Sequence, residues 1–509
     1  MKSRHLAALA LVASAGLALT GCGAGGGGEA ASTTTLTFAS DAHPISFDPT
    51  LIAPENTSPY TDPVYDRLIN QAPDGTLIPG LALEWSYLDD LTFQVKLREG
   101  ITFNNGEAFN ADAVVANYDR LDEPPADGGL AKSYLAQLKQ AVAVDEYTVN
   151  FELATPNPSM AEILALPPGI IVSPEGLSDY RTLASNPSGV GPYNMNLDET
   201  VPNQKYVYDK NPDYYNADAF PFDRVVTLEI LDENARLNAI RSGQADLGMG
   251  TLGTVDAAES GGLSVNVGNS DQHSLVIMDH EGAVDAPLAD PRVRQALSYA
   301  VDRQAFVDSV QLGYAEPSAA FLASAAQVGF DPALNELYPY DPDKAKELLA
   351  EAGYADGFTF TVLTEPFLSI ESEALAGYFA AIGVTLDINI RTNDMVPQIK
   401  SLNFSSFQDT GTPSPSASSF GVYFNCGILD VFNQGGTPEM DELYASAMNS
   451  TDPDEQQKLF GELNTAMSEL AWKIPISTSG VPVFYRDGLT VEEWSSQSEP
   501  HLIGIQPAG

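Results

Sequence analysis

Apolar residues occupy every second position in two short segments of the chain, 92–97 and 148–153. Successive side chains of a β-strand point to opposite faces of its sheet, so this period of two predicts two half-buried strands. A denser apolar run, from Val225 to Leu231, is typical of a strand in the interior of a sheet.

Three segments begin with the same helix-start signal, an aspartate followed by a proline, at Asp290, Asp341 and Asp452. The aspartate side chain accepts a hydrogen bond from the first turn, and proline suits the first helical position. Apolar residues then recur at intervals of three and four after Asp290 and Asp341, which predicts amphipathic helices. Gly353 is placed to end the second of these helices. Because strand and helix signals alternate along the chain, we predict an α/β fold.

The first 21 residues are typical of a bacterial export signal. Lys2 and Arg4 precede an almost purely apolar run, 6–19, which is too short to cross a bilayer comfortably. The run ends in Leu-Thr-Gly-Cys, which resembles the bacterial lipobox, a motif whose cysteine is lipidated after cleavage. We therefore predict that residues 1–21 are removed and that Cys22 carries a lipid anchor. The alternative is an ordinary secretory signal with a chance cysteine.

Residues 22–35 contain four consecutive glycines and mostly small polar residues, so they are predicted to be a flexible tether. No later stretch is apolar enough to predict a transmembrane helix. The second cysteine, Cys426, then has no disulfide partner and is predicted to be a small buried residue.

The composition argues against several classes of function. The chain has 509 residues with 69 acidic and 24 basic side chains, a net charge of −45, and loss of Lys2 and Arg4 would make it −47. This acidity argues against binding of nucleic acid and against electrostatic docking on anionic lipid, both of which need clustered basic residues. With 44% hydrophobic and 18% charged residues, the chain is predicted to fold rather than to be an acidic disordered tail.

Signals of catalysis are absent from the sequence. It has no G-x-S-x-G nucleophile motif, no Gly-Lys-Ser/Thr phosphate loop and no H-E-x-x-H zinc motif. His273 and His280 are the closest pair of histidines, and on one strand their odd spacing would place them on opposite faces. We predict no enzyme activity, no cofactor and no metal site. The alternative is that one or two histidines with carboxylates hold a metal or a metal complex.

Five blocks of sequence follow one another in order after the tether. They are 65–121, with Pro-Asp-Gly at 73–75; 186–247, with Gly-Val-Gly-Pro-Tyr at 189–193; 288–314; 340–358, followed by Ala-Ile-Gly-Val at 381–384; and 451–460. In order and spacing they resemble the extracellular solute-binding proteins of ABC importers, the family that includes oligopeptide-, dipeptide- and nickel-binding proteins. The resemblance covers essentially the whole chain after the tether.

The resemblance implies a two-lobed, hinged α/β fold like that of periplasmic binding proteins, with an extra subdomain on the first lobe. The expected segments are 36–66, 186–272 and 479–509 for lobe one, 67–185 for the extra subdomain, and 273–478 for lobe two. Gly189 and Gly191 are expected in a tight backbone passage between the lobes. Trp85 and Arg294 are expected to serve packing rather than ligand binding.

The function implied is capture of a small ligand, with a peptide or peptide-like molecule as the leading candidate, and its delivery to ABC importer permease subunits with their ATPases. The chain would be a monomer outside the cytoplasm, anchored to the cell membrane only through Cys22, in the periplasm or on the outer surface. A metal chelate, a sugar or another small organic solute is the alternative ligand. A receptor or chaperone role and an extracellular hydrolase are the alternative classes.

The resemblance also suggests which residues face the ligand. Segments 40–47 and 404–425 correspond to cleft-facing segments of the family. The candidate ligand contacts are Asp41, His43, Phe47, Phe404, Phe407, Asp409, Tyr423 and Trp472. For each of them the alternative is core packing or ordinary loop surface.

One departure from the family bears on the ligand. Peptide-binding members commonly carry an acidic residue in this second segment, and it receives the peptide's free amino group. Here residues 410–416 read Thr-Gly-Thr-Pro-Ser-Pro-Ser, without an acid, although Asp409 is near. Because a buried ammonium without a carboxylate partner is costly, a neutral, hydroxylated, chelated or modified ligand becomes more plausible than it is for the family at large.

Overall fold

The structure is a computed structural model that describes residues 34–44, 46–52, 57–123, 130–392, 398–399, 401, 403–411, 415–424, 436–493 and 500–508. The strands are β1 (Thr35–Ser40), β2 (Ile69–Gln71), β3 (Leu77–Pro79), β4 (Ala82–Asp89), β5 (Thr92–Leu97), β6 (Leu138–Asp145), β7 (Thr148–Leu153), β8 (Tyr193–Met195), β9 (Lys205–Lys210), β10 (Arg224–Glu229), β11 (Leu247–Met249), β12 (Ser264–Val267), β13 (Asp271–Ile277), β14 (Glu316–Pro317), β15 (Thr359–Thr364), β16 (Thr385–Ile390), β17 (Ser406–Gly411), β18 (Lys473–Ser479), β19 (Pro482–Tyr485), β20 (Leu489–Val491) and β21 (Ile505–Pro507). The α-helices are α1 (Ser58–Thr61), α2 (Ala111–Asp119), α3 (Leu130–Tyr134), α4 (Met160–Ile163), α5 (Pro174–Ser178), α6 (Tyr180–Leu183), α7 (Glu233–Ser242), α8 (Val255–Ser260), α9 (Pro291–Tyr299), α10 (Arg303–Val310), α11 (Pro342–Glu351), α12 (Ser369–Ala380), α13 (Ser416–Phe424), α14 (Pro438–Asn449) and α15 (Pro453–Glu469).

Lobe one is built on a seven-stranded sheet in the order β12-β19-β11-β1-β10-β9-β8. The apolar run predicted to be an interior strand is β10, which pairs in parallel with β1 and antiparallel with β9. β1 starts at Thr35, the last residue of the predicted tether. On one face of β1, Leu36 and Phe38 join a core shared with the extra subdomain, and on the other Ala39 packs with residues of α7 and α8.

The extra subdomain is built on a four-stranded antiparallel sheet in the order β4-β5-β7-β6. The two strands predicted from alternation, β5 and β7, are neighbours in it, and Phe93 lies opposite Phe151. Both rings are buried, whereas the intervening polar residues are half-buried or exposed. The predicted half-buried strands are thus confirmed. Trp85, on β4, packs against the same core, in agreement with its expected packing role.

Lobe two is built on a six-stranded sheet in the order β14-β18-β13-β17-β15-β16. Alternating residues of β13 serve two cores: Leu275 and Ile277 pack with α9, α11 and α12, whereas Val276 packs with Phe407 and residues of α15. The sheet is therefore covered on both faces, which explains why the central part of β13 is apolar without a break.

The three predicted helix starts are confirmed. Asp290, Asp341 and Asp452 each accept a hydrogen bond from a backbone N–H in the first turn, of α9, α11 and α15, at 2.8–3.0 Å. Gly353 follows α11 with φ of 89°, the left-handed conformation that glycine adopts without strain. Arg294 of α9 is buried and donates to the carbonyl oxygens of Leu470 and residues 288–289, so its predicted packing role is confirmed.

Two chain segments connect the lobes, 268–270 between β12 and β13 and 480–481 between β18 and β19. They lie against each other: a Cβ atom added at Gly480 would be 2.6 Å from the carbonyl carbon and oxygen of Gly268. No side chain fits there, so two backbones in contact form the hinge.

The tight passage predicted at Gly189 and Gly191 exists, but its expected position between the lobes is wrong. A Cβ atom at Gly189 would lie 2.2 Å from Cδ1 of Tyr65, and one at Gly191 would lie 2.3 Å from the carbonyl carbon of Val64. Both glycines therefore pack against the segment that follows α1 in lobe one. A spacing pattern reveals close packing but not the partner, which depends on the fold.

Candidate functional site

The cleft between the lobes is formed by two sheet edges. In lobe one, the parallel strands β1, β10 and β11 end at one edge, and β12, which runs in the same direction, leaves from that edge towards lobe two. In lobe two, β15, β16 and β17 end at the edge where β18 leaves for lobe one. The carboxyl ends of both sets of strands therefore face each other across the hinge, where open α/β sheets bind ligands.

Arg236 holds the edge of lobe one together. This side chain of α7 is buried, and its guanidinium donates to the carbonyl oxygens of Met249 at 2.7 Å, Ile230 at 2.8 Å and Leu231 at 3.2 Å. These carbonyls follow or end β10 and β11, so one arginine fixes the relative position of two strand ends. Its remaining nitrogen lies 4.0 Å from Oδ2 of Asp41, which follows β1.

Two carboxylates lie at this edge with unused hydrogen-bonding capacity. Glu229 ends β10, is only 8% exposed, and lies 3.9 Å from Nδ1 of the exposed His43. Within the described residues, neither Oε2 of Glu229 nor Oδ1 of Asp41 has a hydrogen-bond partner, although both atoms are buried. Leaving a buried acceptor unpaired costs free energy, so both atoms are available to a donor that enters the cleft.

The edge of lobe two is apolar by contrast. Phe367 and Ile370, which follow β15, are 68% and 67% exposed, and Ile390 at the end of β16 is exposed as well. Apolar side chains grouped at a cleft edge offer contact area to the apolar part of a ligand.

A polar network centred on the Glu371 carboxylate lies just behind that edge. Nδ1 of His273 lies 2.9 Å from Oε1 of Glu371, and Nε2 lies 2.9 Å from Oγ of Ser479. Gln311 and Gln408 also donate to the Glu371 carboxylate, both at 3.4 Å. Burial lowers the pKa of His273, but Glu371 and the nearby Asp271 and Asp409 outweigh burial and raise it. The network joins the start of β13 to the end of β18, the two strands that enter the hinge.

Asp409 lies on β17 near a buried lysine. Burial lowers the pKa of Lys473 to about 8 against the attraction of Asp409, and burial raises the pKa of Asp409 against the attraction of Lys473 and His273. The lysine ammonium also donates to the Gln272 side chain and lies 4.8 Å from the centre of the Phe321 ring. The acid nearest to residues 410–416 therefore already has a cationic neighbour.

Of the predicted ligand contacts that the structure describes, Asp41 and His43 lie at the cleft edge of lobe one with exposed surface, and Asp409 is partly exposed near the end of β17 in lobe two. Phe47, Phe404, Phe407 and Trp472 are buried in the cores of the two lobes. Trp472 has a ring on each side, His280 with its centre at 3.9 Å and Phe424 with its centre at 5.9 Å. These four rings support the cleft from behind in this structure, and a direct contact with ligand stays a prediction for them.

Several predicted features lie outside the described residues: the export signal 1–21, the tether up to residue 33 with Cys22, Cys426, and the side chain of Tyr423. Sequence reasoning did not single out Glu229, Arg236, Phe367, Ile370 or Ile390. Glu229 could have been identified from the sequence, because it is the acid that follows Leu228 in the predicted interior strand. The carboxyl end of a parallel strand is a standard place for a ligand contact.

The part of the chain that the structure describes has neither a metal-binding cluster nor a membrane-spanning helix. No group of three or more His, Cys, Asp or Glu side chains there is arranged to hold a metal ion. Nor does any helix in that part have the length and hydrophobicity needed to cross a membrane.

Residues 76–427 match the family model described as bacterial extracellular solute-binding proteins, family 5 middle. Among curated proteins, the glutathione-binding protein GsiB of Pectobacterium atrosepticum is 32% identical over 308 residues, which are 58% of this chain and 57% of the relative. The chain thus matches somewhat more than half the length of this relative.

Two solved structures share the fold. NikA from Brucella suis, solved in complex with Fe(III)-EDTA, aligns with a TM-score of 0.78 at 23% identity, covering 93% of this chain and 100% of its own. The periplasmic binding protein DppA from Helicobacter pylori, solved in complex with the peptide STSA, aligns with a TM-score of 0.72 at 20% identity, covering 94% and 99%. At these identities the likeness concerns the fold alone, and it confirms the two-lobed, hinged α/β architecture.

Proposed function

The chain belongs to the bacterial extracellular solute-binding proteins of family 5, and we propose that it captures a small, peptide-like solute between its two lobes for an ABC importer. The observation that carries this proposal is the family match over residues 76–427. The similarity to a glutathione-binding protein, whose ligand is a modified tripeptide by its chemistry, favours a peptide-like solute over a sugar or a metal chelate.

The amino group of the ligand would be received by lobe one. Glu229 and Asp41 each present a buried oxygen without a partner among the described residues, so an ammonium group would gain charge-assisted hydrogen bonds there. This arrangement supplies the acid that residues 410–416 lack. This chain can therefore bind a ligand with a free amino group even though residues 410–416 contain no acid.

The apolar part of the ligand would lie against lobe two, on Phe367, Ile370 and Ile390, which are exposed in this structure. A ligand that contacts both edges binds the closed form better than the open form, so it shifts the population towards closure at the hinge. We propose the segment boundaries given above as the moving units, with residues 268–270 and 480–481 as the hinge.

The working state proposed for the protein is an anchored monomer. Residues 1–21 would be removed, Cys22 lipidated, and residues 22–35 would let the body move beside the membrane. The loaded, closed form would dock on the permease, whose ATPases drive transport. The chain itself would perform no catalysis and need no cofactor or nucleic acid.

Calorimetric titration tests the ligand class. Purified protein would first be examined by native mass spectrometry for a co-purified solute, then titrated with glutathione, with Ala-Ala-Ala and with its N-acetylated form. We expect one ligand per monomer, and at least about tenfold weaker binding of the acetylated tripeptide, because acetylation removes the charge that pairs with the carboxylates. Equal affinity for both forms would contradict the assignment of the amino group to lobe one.

Small-angle scattering tests closure. With a saturating amount of the tightest-binding compound, the radius of gyration should decrease. If it stays unchanged while calorimetry shows full binding, the hinge mechanism is wrong even though the protein binds a solute.

The anchor has its own test. Cys22→Ser should move the protein from the membrane fraction to the soluble fraction. A Cys22→Ser variant that stays in the membrane fraction would contradict lipidation at this residue.

A further inference from the structure

A second cavity, of about 410 Å³, lies between lobe one and the extra subdomain, away from the cleft. Its wall includes Tyr214, which follows the end of β9 at Lys210. Because β9 is antiparallel to β10, that end lies at the edge opposite Glu229. Six strand residues separate the two edges, a distance of about 20 Å. The cavity is therefore independent of the proposed ligand site.

One acid in the cavity wall, Asp66, has no capacity left for a ligand. Its Oδ1 accepts from the backbone N–H of Arg67 at 2.8 Å and from Asn70 at 2.7 Å, and its Oδ2 accepts from the hydroxyls of Tyr214 at 2.9 Å and Tyr215 at 2.7 Å. Burial and Asp66 raise the pKa of both tyrosines, so the hydroxyls stay protonated and remain donors.

The second acid, Asp62, is held through one oxygen by His501, whereas its buried Oδ1 has no hydrogen-bond partner among the described residues and lies 3.6 Å from the terminal nitrogen of Arg67. Its Oδ2 lies 2.6 Å from Nδ1 of His501 and accepts from the backbone N–H of Leu502 at 3.3 Å. Burial raises the pKa of Asp62, but His501 and Arg67 outweigh burial and lower it, so the group is a carboxylate at neutral pH.

Arg67 is the cation in this wall whose bonds are incomplete. Its side chain is only 16% exposed, its terminal nitrogen lies 3.6 Å from Oδ1 of Asp62, which is beyond hydrogen-bond distance, and its Nε has no partner among the described residues. A guanidinium carries five N–H donors in a plane that matches a carboxylate edge to edge. Such a nearly buried, under-used guanidinium favours a carboxylate ligand.

Three of the exposed residues that line the cavity are apolar, Ile78, Pro79 and Ile503, and one, Asn216, is polar. Ile78 and Ile503, both lining residues, have exposed side chains. Inside, the guanidinium of Arg98 lies 4.1 Å from the centre of the Tyr215 ring and donates to the carbonyl oxygen of Gly80, so this second arginine is already engaged. The volume is within the range of small-molecule pockets.

We infer that this cavity is a second binding site, which takes a small organic carboxylate with its charged group on Arg67 and its apolar body between Ile78 and Ile503. In a chain with a net charge of −45, the site is a local exception, since the charges of its two arginines balance those of its two acids. The inference does not depend on the ligand of the cleft.

Ligand-observed saturation-transfer NMR on the full chain tests the site, with phenylacetate, benzoate and hexanoate as probes and phenylacetamide as the neutral match of the first. We expect at least one carboxylate to bind with a Kd on the order of 1 mM, the affinity expected of about ten heavy atoms. Phenylacetamide should bind at least about tenfold more weakly, because it lacks the charge that pairs with Arg67.

Variants locate the binding. Arg67→Gln should abolish carboxylate binding, and because its backbone pairs with Ile170 in a β-bridge, the fold of this variant is checked by circular dichroism. Ile78→Asp and Ile503→Asp place a negative charge at the mouth without removing a hydrogen bond, and they should abolish binding as well. Ile370→Asp, a matched change of an exposed isoleucine at the cleft, should leave it unchanged.

Several results would overturn the inference. Absence of binding by all three carboxylates would do so, as would equal binding of phenylacetamide. Loss of binding in Ile370→Asp together with its retention in Ile78→Asp would place the carboxylate in the cleft. Glutathione titration of the Ile78→Asp variant separates the two sites, because the proposed cleft function predicts unchanged affinity there.

Discussion

The two edges of the cleft differ in how their buried carboxylates are hydrogen-bonded. In lobe one, Glu229 is nearly buried and keeps an oxygen without a partner among the described residues. In lobe two, Glu371 is equally buried but is surrounded by His273, Gln311 and Gln408. The unpaired oxygen of Glu229 can accept a hydrogen bond from a ligand, but it lowers the stability of the free protein. The hydrogen bonds of Glu371 are made within the protein, and they make the region beside the hinge rigid. We therefore propose that Glu229 of lobe one receives the charged group of the ligand, whereas Glu371 of lobe two supports the hinge.

The largest effect expected is on the framework of the lobe-one edge. Arg236→Met removes the donor to three carbonyl oxygens, one of them buried, so we expect the free energy of unfolding of lobe one to fall by about 3–5 kcal/mol. Urea unfolding followed by tryptophan fluorescence and circular dichroism measures the change. Arg486→Met, which removes an exposed ion pair with Asp246, should cost about 0–1 kcal/mol. Similar losses in the two variants would show that Arg236 does not hold the strand ends.

Exchanging the two glutamates for glutamine tests the division directly. Glu229→Gln should weaken binding of the unmodified tripeptide at least about tenfold and change stability little, because the lost charge had no strong partner in the free protein. Glu371→Gln should do the reverse, lowering stability by about 1–3 kcal/mol with a smaller effect on affinity, because it removes the negative charge that pairs with His273 and replaces one acceptor oxygen by a donor. Calorimetry and urea unfolding on both variants provide the readout.

Glu442→Gln, an exposed change on α14, is the control for both glutamate variants and should alter neither quantity. If Glu371→Gln weakens binding as much as Glu229→Gln does, the two edges do not differ in the way described.

The pH dependence of stability should separate two histidines of lobe two. The pKa of His273 is raised in the folded state, so its stabilising contribution is fully present below its unfolded pKa of about 6.5 and is lost as the pH rises through its folded pKa. The pKa of His280 is lowered to about 3 by burial and by Arg294, despite Asp279, so its contribution is present above about pH 6.5 and is lost as the pH falls towards 3.

Unfolding curves between pH 3 and 9 check this difference. His273→Gln should flatten the dependence above about pH 6.5, and His280→Gln should flatten it below that value. If both variants flatten the same side, the assignment of the Glu371 network to a charged histidine is wrong.

The smallest effects are expected from the apolar edge of lobe two. Phe367→Ser and Ile370→Ser should each weaken binding of a ligand with an apolar side chain by about three- to tenfold, because partly exposed residues lose only part of their contact area. Stability should stay within about 0.5 kcal/mol of the wild type, since both side chains are already exposed. Leu312→Ser, a change of another exposed apolar residue, is the control. Phe358→Ser would not be an equivalent control, because Phe358 packs against the core of the lobe.

Much of the scaffold could be predicted from local sequence. The caps at Asp290, Asp341 and Asp452 and the alternation in β5 and β7 depend on neighbours within one helical turn or one strand, and the structure confirms all of them. The blocks that carry the family resemblance are largely such scaffold elements. This is why the fold was predictable while the ligand class was not.

The candidate site could be predicted only in part. Asp41 and His43 lie at the cleft edge as expected, but Phe47 and Trp472 are buried, because aromatic residues near a cleft satisfy core packing as readily as ligand contact. Glu229 was not predicted as a site residue because acids are abundant in this chain. Only the structure shows which acids are buried with an oxygen that has no partner among the described residues.

The sequence by itself determined the three helix starts, the alternating strands and the family, since these depend on residues close together in the chain, and the export signal stays a prediction. The tertiary structure alone decided which carboxylates keep an unused oxygen, which glycines let two backbones touch, and that residues near 62–67, 214–216 and 501–503 enclose one cavity. The physical reason is that hydrogen-bond saturation and burial are properties of neighbours in space. The neighbour of Glu229, His43, is far away in the sequence, and so are residues 214–216 and 501–503, which enclose the cavity beside Arg67.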